Sequence, residues 1–430
     1  MPKPNEHLPT SAGPTPAPSG PTESPFCRLT ALSHNLAPHF AALRTIRNRK
    51  ALEASTLFSE IEAELSFVLS GIETGEHASP ANRQLSDGTL RVVAWNIQRG
   101  REFSQILDAL KNDETLSRAD VVLLSEVDVG MGRSHNRNVP RELAAALGFH
   151  YAFGVSYLVL GDDVKENEEG TENTLALAGQ AMLSRLPIEQ VVNVDLPELK
   201  DKFSSKREKR LGKKRALMAC VGGLDKPLWV STCHLDSNAS PAQRSEQLRA
   251  LLEQIAKQGS RVLVGGDFNT TTYDASSKAA LFRDLLHKFF HKGFDRTVAG
   301  YMTPQTSYEQ PVFALLEELG FATEGLNDLH TGSYFYDVES PFAEAKLIEK
   351  VGTFLTRRLQ KRLRPWNGRV PARLDWFVGK NVRGQAAGVV EVAPRNGIPA
   401  SDHLPIYVDI GLPKDFGGAG NLDVPGQPVR

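Results

Sequence analysis

Six short apolar runs in this chain end or begin on a polar residue suited to chemistry. RVVAWN ends on Asn96, VVLLSE on Glu126, LWVSTCH on His234, and VLVGGD on Asp267 with Asn269 just beyond. RLD sets Asp375 in front of the apolar WFV, and SDH sets Asp402 and His403 before the last run, LPIYVDI. Such runs, apolar and partly β-branched, read as buried strands. A polar group at the mouth of a core is costly unless it is bonded. Each residue alone has an ordinary reading: a turn former, a surface acid, a satisfied histidine. Asp267-Phe268-Asn269 in particular fits a turn, because Asp and Asn bond the nearby backbone. Repeated in one stretch of chain, the same event points instead to strand ends that share a polar place on a rigid base.

The pattern between about 90 and 411 is strand and helix in succession. LRVVAWNI, ADVVLLSEV, GQAMLSRLP, RALMACVGG, PLWVSTCHL, VLVGGDFN, RLDWFVG, AAGVVEVA and LPIYVDI read as strands. Phe103, Ile106, Leu107 and Leu110 form a helical stripe, and Pro140 to Leu147 a short helix closed by Gly148. Ser240-Pro241 opens another helix, with Gln243 placed for a capping box. Helical patches follow at 275–290, 311–319 and 341–363. Several strands succeed one another through short turns, so antiparallel pairs are expected beside crossover helices. A sandwich of two sheets with helices outside fits better than one parallel sheet. Flanking this domain, 1–35 reads as a Pro-rich disordered tail, 36–70 as a helical extension of two helices, 71–89 as a linker and 412–430 as a second loose tail.

Asn, Glu and Asp are hard oxygen donors of the kind Mg2+ or Mn2+ takes. Soft cysteine pairs and an HExxH are missing from the sequence, which makes zinc the weaker fit. Two histidines beside spare carboxylates suit acid–base work. No P-loop and no GxGxxG after a strand argues for a nucleotide cofactor.

Bulk properties narrow the class only coarsely. A chain of 430 residues, 40% hydrophobic and with a formal net charge of -1, is globular and not globally basic, so any polyanion site must be local. Three cysteines without CxxC spacing suggest a reducing compartment, and with no apolar run of about 18 residues and no cleavage signal the expected location is the cytoplasm.

Taken in order, WN, SE, TCHL, GGDFN, LDWFV and SDHLP resemble the endonuclease/exonuclease/phosphatase superfamily, whose fold is that of deoxyribonuclease I. The resemblance spans roughly 90–411. It implies a four-layer α/β/β/α sandwich of two packed mixed sheets flanked by helices, and metal-dependent hydrolysis of a phosphoester. It further implies that Asn96 and Glu126 bind the divalent metal with help from Asp402. Asp267 and Asn269 would position water and phosphate oxygens. His403 would be the base or phosphate-binding histidine, oriented by Asp375, and His234 the second histidine. Arg185, in LSRLP, matches a substrate-binding position near the site.

The substrate is less legible. STCHLDS stands where abasic-site enzymes of the family carry a tyrosine motif, and GDFNTTT and RLDWFV depart from the inositol-phosphatase boxes. General nucleases and sphingomyelinase-like esterases remain, with a phosphomonoesterase or a non-catalytic scaffold of the same fold as alternatives. Two basic stretches could follow a phosphate backbone, 200–215 with nine Lys or Arg against two acids and 357–373 with seven and none. Each reads equally as a solvated loop or helix face. A phosphodiester, nucleic acid before lipid, is the favoured substrate.

Overall fold

Val92 and Ala94 point into one apolar core, while their neighbours Val93 and Trp95 point into another. Leu263 and Val264 divide in the same way between the first of these cores and a third. Strands with apolar residues on both faces, alternating with period two, must be covered on both sides. The computed structural model shows how.

It describes residues 27–77, 88–161, 171–204, 208–271, 278–287, 293–337, 348, 353–366 and 368–411. The elements in order are β1 (Cys27–Leu29), α1 (Phe40–Thr45), α2 (Arg49–Glu53), α3 (Thr56–Leu69), β2 (Gly71–Gly75), β3 (Thr89–Arg99), α4 (Phe103–Asn112), β4 (Val121–Val129), α5 (Val139–Leu147) and β5 (His150–Val159). Next come β6 (Leu177–Ser184), β7 (Ile188–Asp195), β8 (Arg210–Gly212), β9 (Arg215–Val221), β10 (Leu228–His234), α6 (Pro241–Gln258) and β11 (Val262–Asp267). The last third holds α7 (Lys278–His287), α8 (Phe294–Gly300), α9 (Pro304–Ser307), α10 (Gln310–Glu318), β12 (Tyr334–Asp337), α11 (Thr353–Leu363), β13 (Arg369–Ala372), β14 (Asp375–Lys380), β15 (Arg383–Val389) and β16 (Ile406–Gly411).

Among the described residues one sheet has nine strands, in the order β1-β2-β5-β6-β4-β3-β16-β15 with β8 also on β5. The other has five, in the order β14-β11-β10-β9-β7. Val92, Leu123, Met182, Leu217, Leu263 and Phe377 fill the space between them. The outer face of the large sheet packs on Phe40, Leu65, Ile106 and Leu143 of its helices. The outer face of the small sheet packs on Leu248, Leu252, Val312 and Leu316 of α6 and α10. The chain is thus a four-layer α/β/β/α sandwich. Helix α6 starts with the capping box expected, Ser240 and Gln243 bonding each other's backbone N–H, and α5 ends on Gly148 at φ 66°.

Several expectations are corrected. The extension holds three helices, because Asn48 and Ser55 each cap a new one by accepting from Ala51 N and Phe58 N. Residues 71–75, expected in the linker, form β2, and 27–29, expected in the tail, form β1; both add to the large sheet. Buried Glu73 ties this edge down, accepting from Leu32 N (2.7 Å), Asn138 Nδ2 (2.8 Å) and the Tyr151 hydroxyl (2.8 Å). Beyond β1 and β2, the strands β5, β7, β8, β12 and β13 fall outside the runs read from sequence. Residues 1–26 and 412–430 of the two tails, and nearly all of 341–352, lie outside the described residues. No helix among the described residues is long and apolar enough to cross a membrane.

Candidate active site

Strand register alone assembles half of the site. β10 and β11 run parallel with His234 opposite Asp267, and β11 and β14 run antiparallel with Asp267 opposite Asp375. Three candidate side chains therefore sit on one rung of the small sheet. Only glycine fits just before it: Gly266 has φ 140°, and a Cβ there would lie 2.2 Å from the Cys233 carbonyl.

The large sheet contributes from β3 and β4, which are parallel, with Asn96 opposite Ser125. Both strands leave regular pairing here: the β3–β4 register shifts after Asn96, and the β4–β6 register shifts between Leu124 and Val127. Glu126 sits in that irregularity at φ 51°, a left-handed conformation costly for a residue with a side chain. Asn269 shares it at φ 48°. Irregularities of this kind re-aim a side chain out of strand alternation.

The two sheets are joined at the site. Asn96 Nδ2 donates to Asp267 Oδ2 at 3.1 Å. Asn269 donates from its backbone to Asp267 Oδ1 (2.8 Å) and from Nδ2 to Asp267 Oδ2 (3.1 Å) and Leu235 O (2.9 Å). The turn expected of this segment is present, and the same bonds set Asp267 beside Asn96. His403 is set by the loop before β16, where Trp95 Nε1 donates to His403 O (2.9 Å) and Ser401 Oγ donates to Asn96 O (2.6 Å). Its Nδ1 donates to Asp375 Oδ2 at 2.8 Å. Both His403 Nε2 (3.8 Å) and His234 Nε2 (3.7 Å) stand off from the same Asp267 oxygen, a gap suited to a bridging water or phosphate oxygen.

The electrostatics separate the two histidines. Burial lowers His403, but Asp375 and then Asp267 overcome it and raise it well above the ordinary imidazole value. Burial, helped by Lys214, brings His234 down to about 4 against the pull of Asp267 and Glu126. At neutral pH one is an imidazolium and the other a neutral ring. Burial and neighbouring Asp375 raise Asp267. Burial also works to raise Glu126, yet Arg99, His234 and His403 hold it at about 2. Glu126 is therefore ionised; the Arg99 cation stands 3.9 Å from it at Nε, and the neutral His234 ring 3.8 Å away at Nε2. An ionised, partly open carboxylate with no hydrogen bond at normal distance among the described residues, one position past the partner of Asn96, fits a hard divalent cation. Asp267, Asp375 and His403 are a second grouping whose ligand atoms lie within 4.8 Å of one another. Asp375 Oδ1 there is buried without a hydrogen-bond partner, but His403 is already engaged by the other oxygen.

Asn96, Glu126, His234, Asp267, Asn269, Asp375 and His403 thus come together. Asp402 lies on the same loop with its side chain exposed. Arg185 does not join them. It follows Ser184, which pairs with Val121 at the start of β4, some five residues or about 17 Å along the strand from Glu126. Its guanidinium closes the carbonyls of Ala119 (2.8 Å) and Ser117 (2.7 Å) and covers the Phe149 ring.

Two cations were missed. Arg99 is the nearer to Glu126. Lys214 donates to Leu235 O at 2.7 Å, the carbonyl that Asn269 also uses, and burial brings it down to about 8. A signal for Lys214 exists. In the antiparallel β9–β10 pair, with Leu228 opposite Val221, continuing the register sets Lys214 beside Leu235.

Behind Glu126 lies an ion network. Arg133 donates to Asp128 (2.7 and 3.0 Å) and to Glu208, which also pairs with Arg210. Burial would raise Glu208, but Arg210, Arg133 and Arg99 bring it to about 2. Because the folded value lies below the unfolded one, its contribution is present above the ordinary carboxylate range and is lost as pH falls from about 4 toward 2. That interval is worth about 3 kcal/mol. Urea midpoints of wild type and Glu208→Gln are expected to differ widely at pH 6 and to converge as pH falls toward 2; an equal gap at pH 6 and pH 2 would contradict this.

The Endonuclease/Exonuclease/phosphatase family model matches residues 93–403. No curated protein matches the chain. Among solved structures, an endonuclease/exonuclease/phosphatase from Beutenbergia cavernae DSM 12333 is 20% identical over 75% of this chain and 72% of its own, with a TM-score of 0.47. D. rerio TDP2 complexed with single strand DNA product is 16% identical over 75% and 99%, TM-score 0.42. An AP endonuclease from Archaeoglobus fulgidus is 16% identical over 74% and 98%, TM-score 0.41.

Proposed function

Because the chain belongs to the Endonuclease/Exonuclease/phosphatase family, we propose that it is a divalent-cation-dependent phosphodiesterase that cleaves nucleic acid by attack of water. The observation that carries this reading is the convergence of two histidines on one buried carboxylate oxygen, Asp267 Oδ2. Asp267, raised by burial and held by both asparagines, accepts the proton of the attacking water. Asn269 helps position that water by fixing Asp267, to which it donates from its backbone N–H and from Nδ2. His403, kept cationic by Asp375, donates from Nε2 to the charge that grows on the phosphate oxygens. Neutral His234 lies across the same gap and completes the oxygen cage.

Glu126 and Asn96, with Asp402 from the neighbouring loop, would hold Mg2+ or Mn2+. When bound, such an ion neutralises phosphate oxygen charge and stabilises the leaving oxygen. The buried thiols Cys220 and Cys233 fit a reducing compartment, and the cytoplasm is the location we propose.

Hydrolysis of bis(p-nitrophenyl) phosphate with Mg2+ or Mn2+ tests the reaction. Turnover is expected to fall to background with a chelator and to return on adding metal. No turnover with any divalent ion would favour the scaffold reading. A parallel screen of DNA, RNA, sphingomyelin and inositol phosphates assigns the substrate, and cleavage of a lipid or monoester alone would replace nucleic acid.

A further inference from the structure

We propose that a row of tyrosines leading away from His403, together with the basic helix α11 beside it, binds a single strand of nucleic acid. The inference rests on the phosphodiesterase reading above and names the form of its substrate.

The row begins at the catalytic histidine. Tyr334 bridges to the His403 backbone, and its ring centroid lies 4.9 Å from the imidazole. Tyr336 follows at 5.2 Å and Tyr301 at a further 5.5 Å, each ring tilted on the last by 56–74°. All three residues are half-buried, so the row is fixed by packing while part of each ring stays open. Val298, Val370 and Leu363 form the small core on which Tyr301 and Tyr336 pack. Leu363 is the last residue of α11.

That anchor sets a cationic helix alongside the aromatic row. Arg357, Arg358, Lys361, Arg362 and, just beyond, Arg364 are exposed, and no acid lies in 353–366. Phe354 is 72% exposed, and the Arg358 guanidinium stands 5.3 Å over its ring. Aromatic faces beside a cationic track are what an unpaired strand uses: bases stack, and phosphates meet charge. A duplex hides its base faces, and a phospholipid headgroup offers a phosphate but no planar base. The other basic stretch is largely committed elsewhere. Lys209 donates to the carbonyls of Arg44 and Ile46, and Arg215 donates to Asp195 and Val155 O. Arg373 also belongs to the interior, donating to Asp328 O and Thr331 O.

Fluorescence anisotropy with the full chain and chelator present, using labelled dT and rU 12-mers against a duplex of equal length, tests the inference. Both single strands are expected to bind at least tenfold more tightly than the duplex. Tyr336→Ser is expected to weaken them about tenfold and Tyr336→Phe to keep them. Arg357→Gln with Arg358→Gln, both on the surface, is expected to flatten the salt dependence of log K by about 1.4. Equal binding of strand and duplex, or binding indifferent to Tyr336→Ser and the arginine pair, would overturn the inference. So would a Tyr336-dependent affinity for phosphatidylserine vesicles in place of the oligonucleotides. Strand binding with the expected pattern but no turnover of bis(p-nitrophenyl) phosphate would uphold the inference and defeat the catalytic reading. Turnover with unaltered strand binding would do the reverse.

Discussion

Asp267→Asn is expected to lower kcat on a phosphodiester by about three orders of magnitude. The side chain is almost fully buried and takes bonds from Asn96 Nδ2, Asn269 N and Asn269 Nδ2. An amide of the same shape cannot accept the proton of attacking water. Its NH2 group would also meet two donors where a carboxylate oxygen now meets them. The negative charge that supports His403 is lost as well. His403→Ala, which removes the partner of Asp375, is expected to lose activity on a similar scale, by orders of magnitude. Far-ultraviolet circular dichroism should be unchanged in both, since the strands are paired independently of these side chains. If either variant retained more than a tenth of the wild-type rate with folded protein in hand, the site would be wrongly placed.

The largest stability effect is expected at Glu309→Leu. Glu309 and Arg244 are both fully buried, and Arg244 donates to both Glu309 oxygens, from Nε at 3.1 Å and from Nη2 at 2.5 Å. The pair fastens α6 to the start of α10, the two helices that cover the small sheet. Removing the acid leaves a guanidinium in an apolar layer with the Ala239 carbonyl still bonded to Nη1 (2.9 Å). Breaking such a pair costs about 3–5 kcal/mol. The double change Arg244→Met with Glu309→Leu should recover most of that, because no unpaired charge remains. Urea midpoints for the four proteins of the cycle measure this. A cost below about 1 kcal/mol for the single change would mean that water reaches the arginine.

What the sequence disclosed followed strand chemistry. Asn96, Glu126, His234, Asp267, Asp375 and His403 were visible because each interrupts an apolar run, and the register carries them to a common end. The capping box at Ser240 was equally visible, being local. β5 escaped notice because Tyr151, Phe153 and Val155 are interleaved with His150, Gly154 and Ser156 directly after a helix cap, so no turn signal frames the run. Arg185 matched a motif, but which end of the sheet it occupies depends on β6 running antiparallel to β4, a tertiary fact. The tyrosine row was hidden for a related reason: Tyr301 and Tyr336 lie far apart in the chain, and neither adjoins the catalytic loop in sequence.

The rung that pairs Asp267 with Asp375 also has a bearing on how such a chain can diversify. Everything between those residues, 268–374, is an excursion that departs from and returns to the same point of the small sheet. Its two ends are pinned by backbone pairing, so the parts of it other than Asn269 and the Glu309–α10 cover of the small sheet can change in length and content while the distance between the two acids does not. Any module grafted there is delivered to the rim of the candidate site, which makes this junction a natural place to exchange one substrate preference for another.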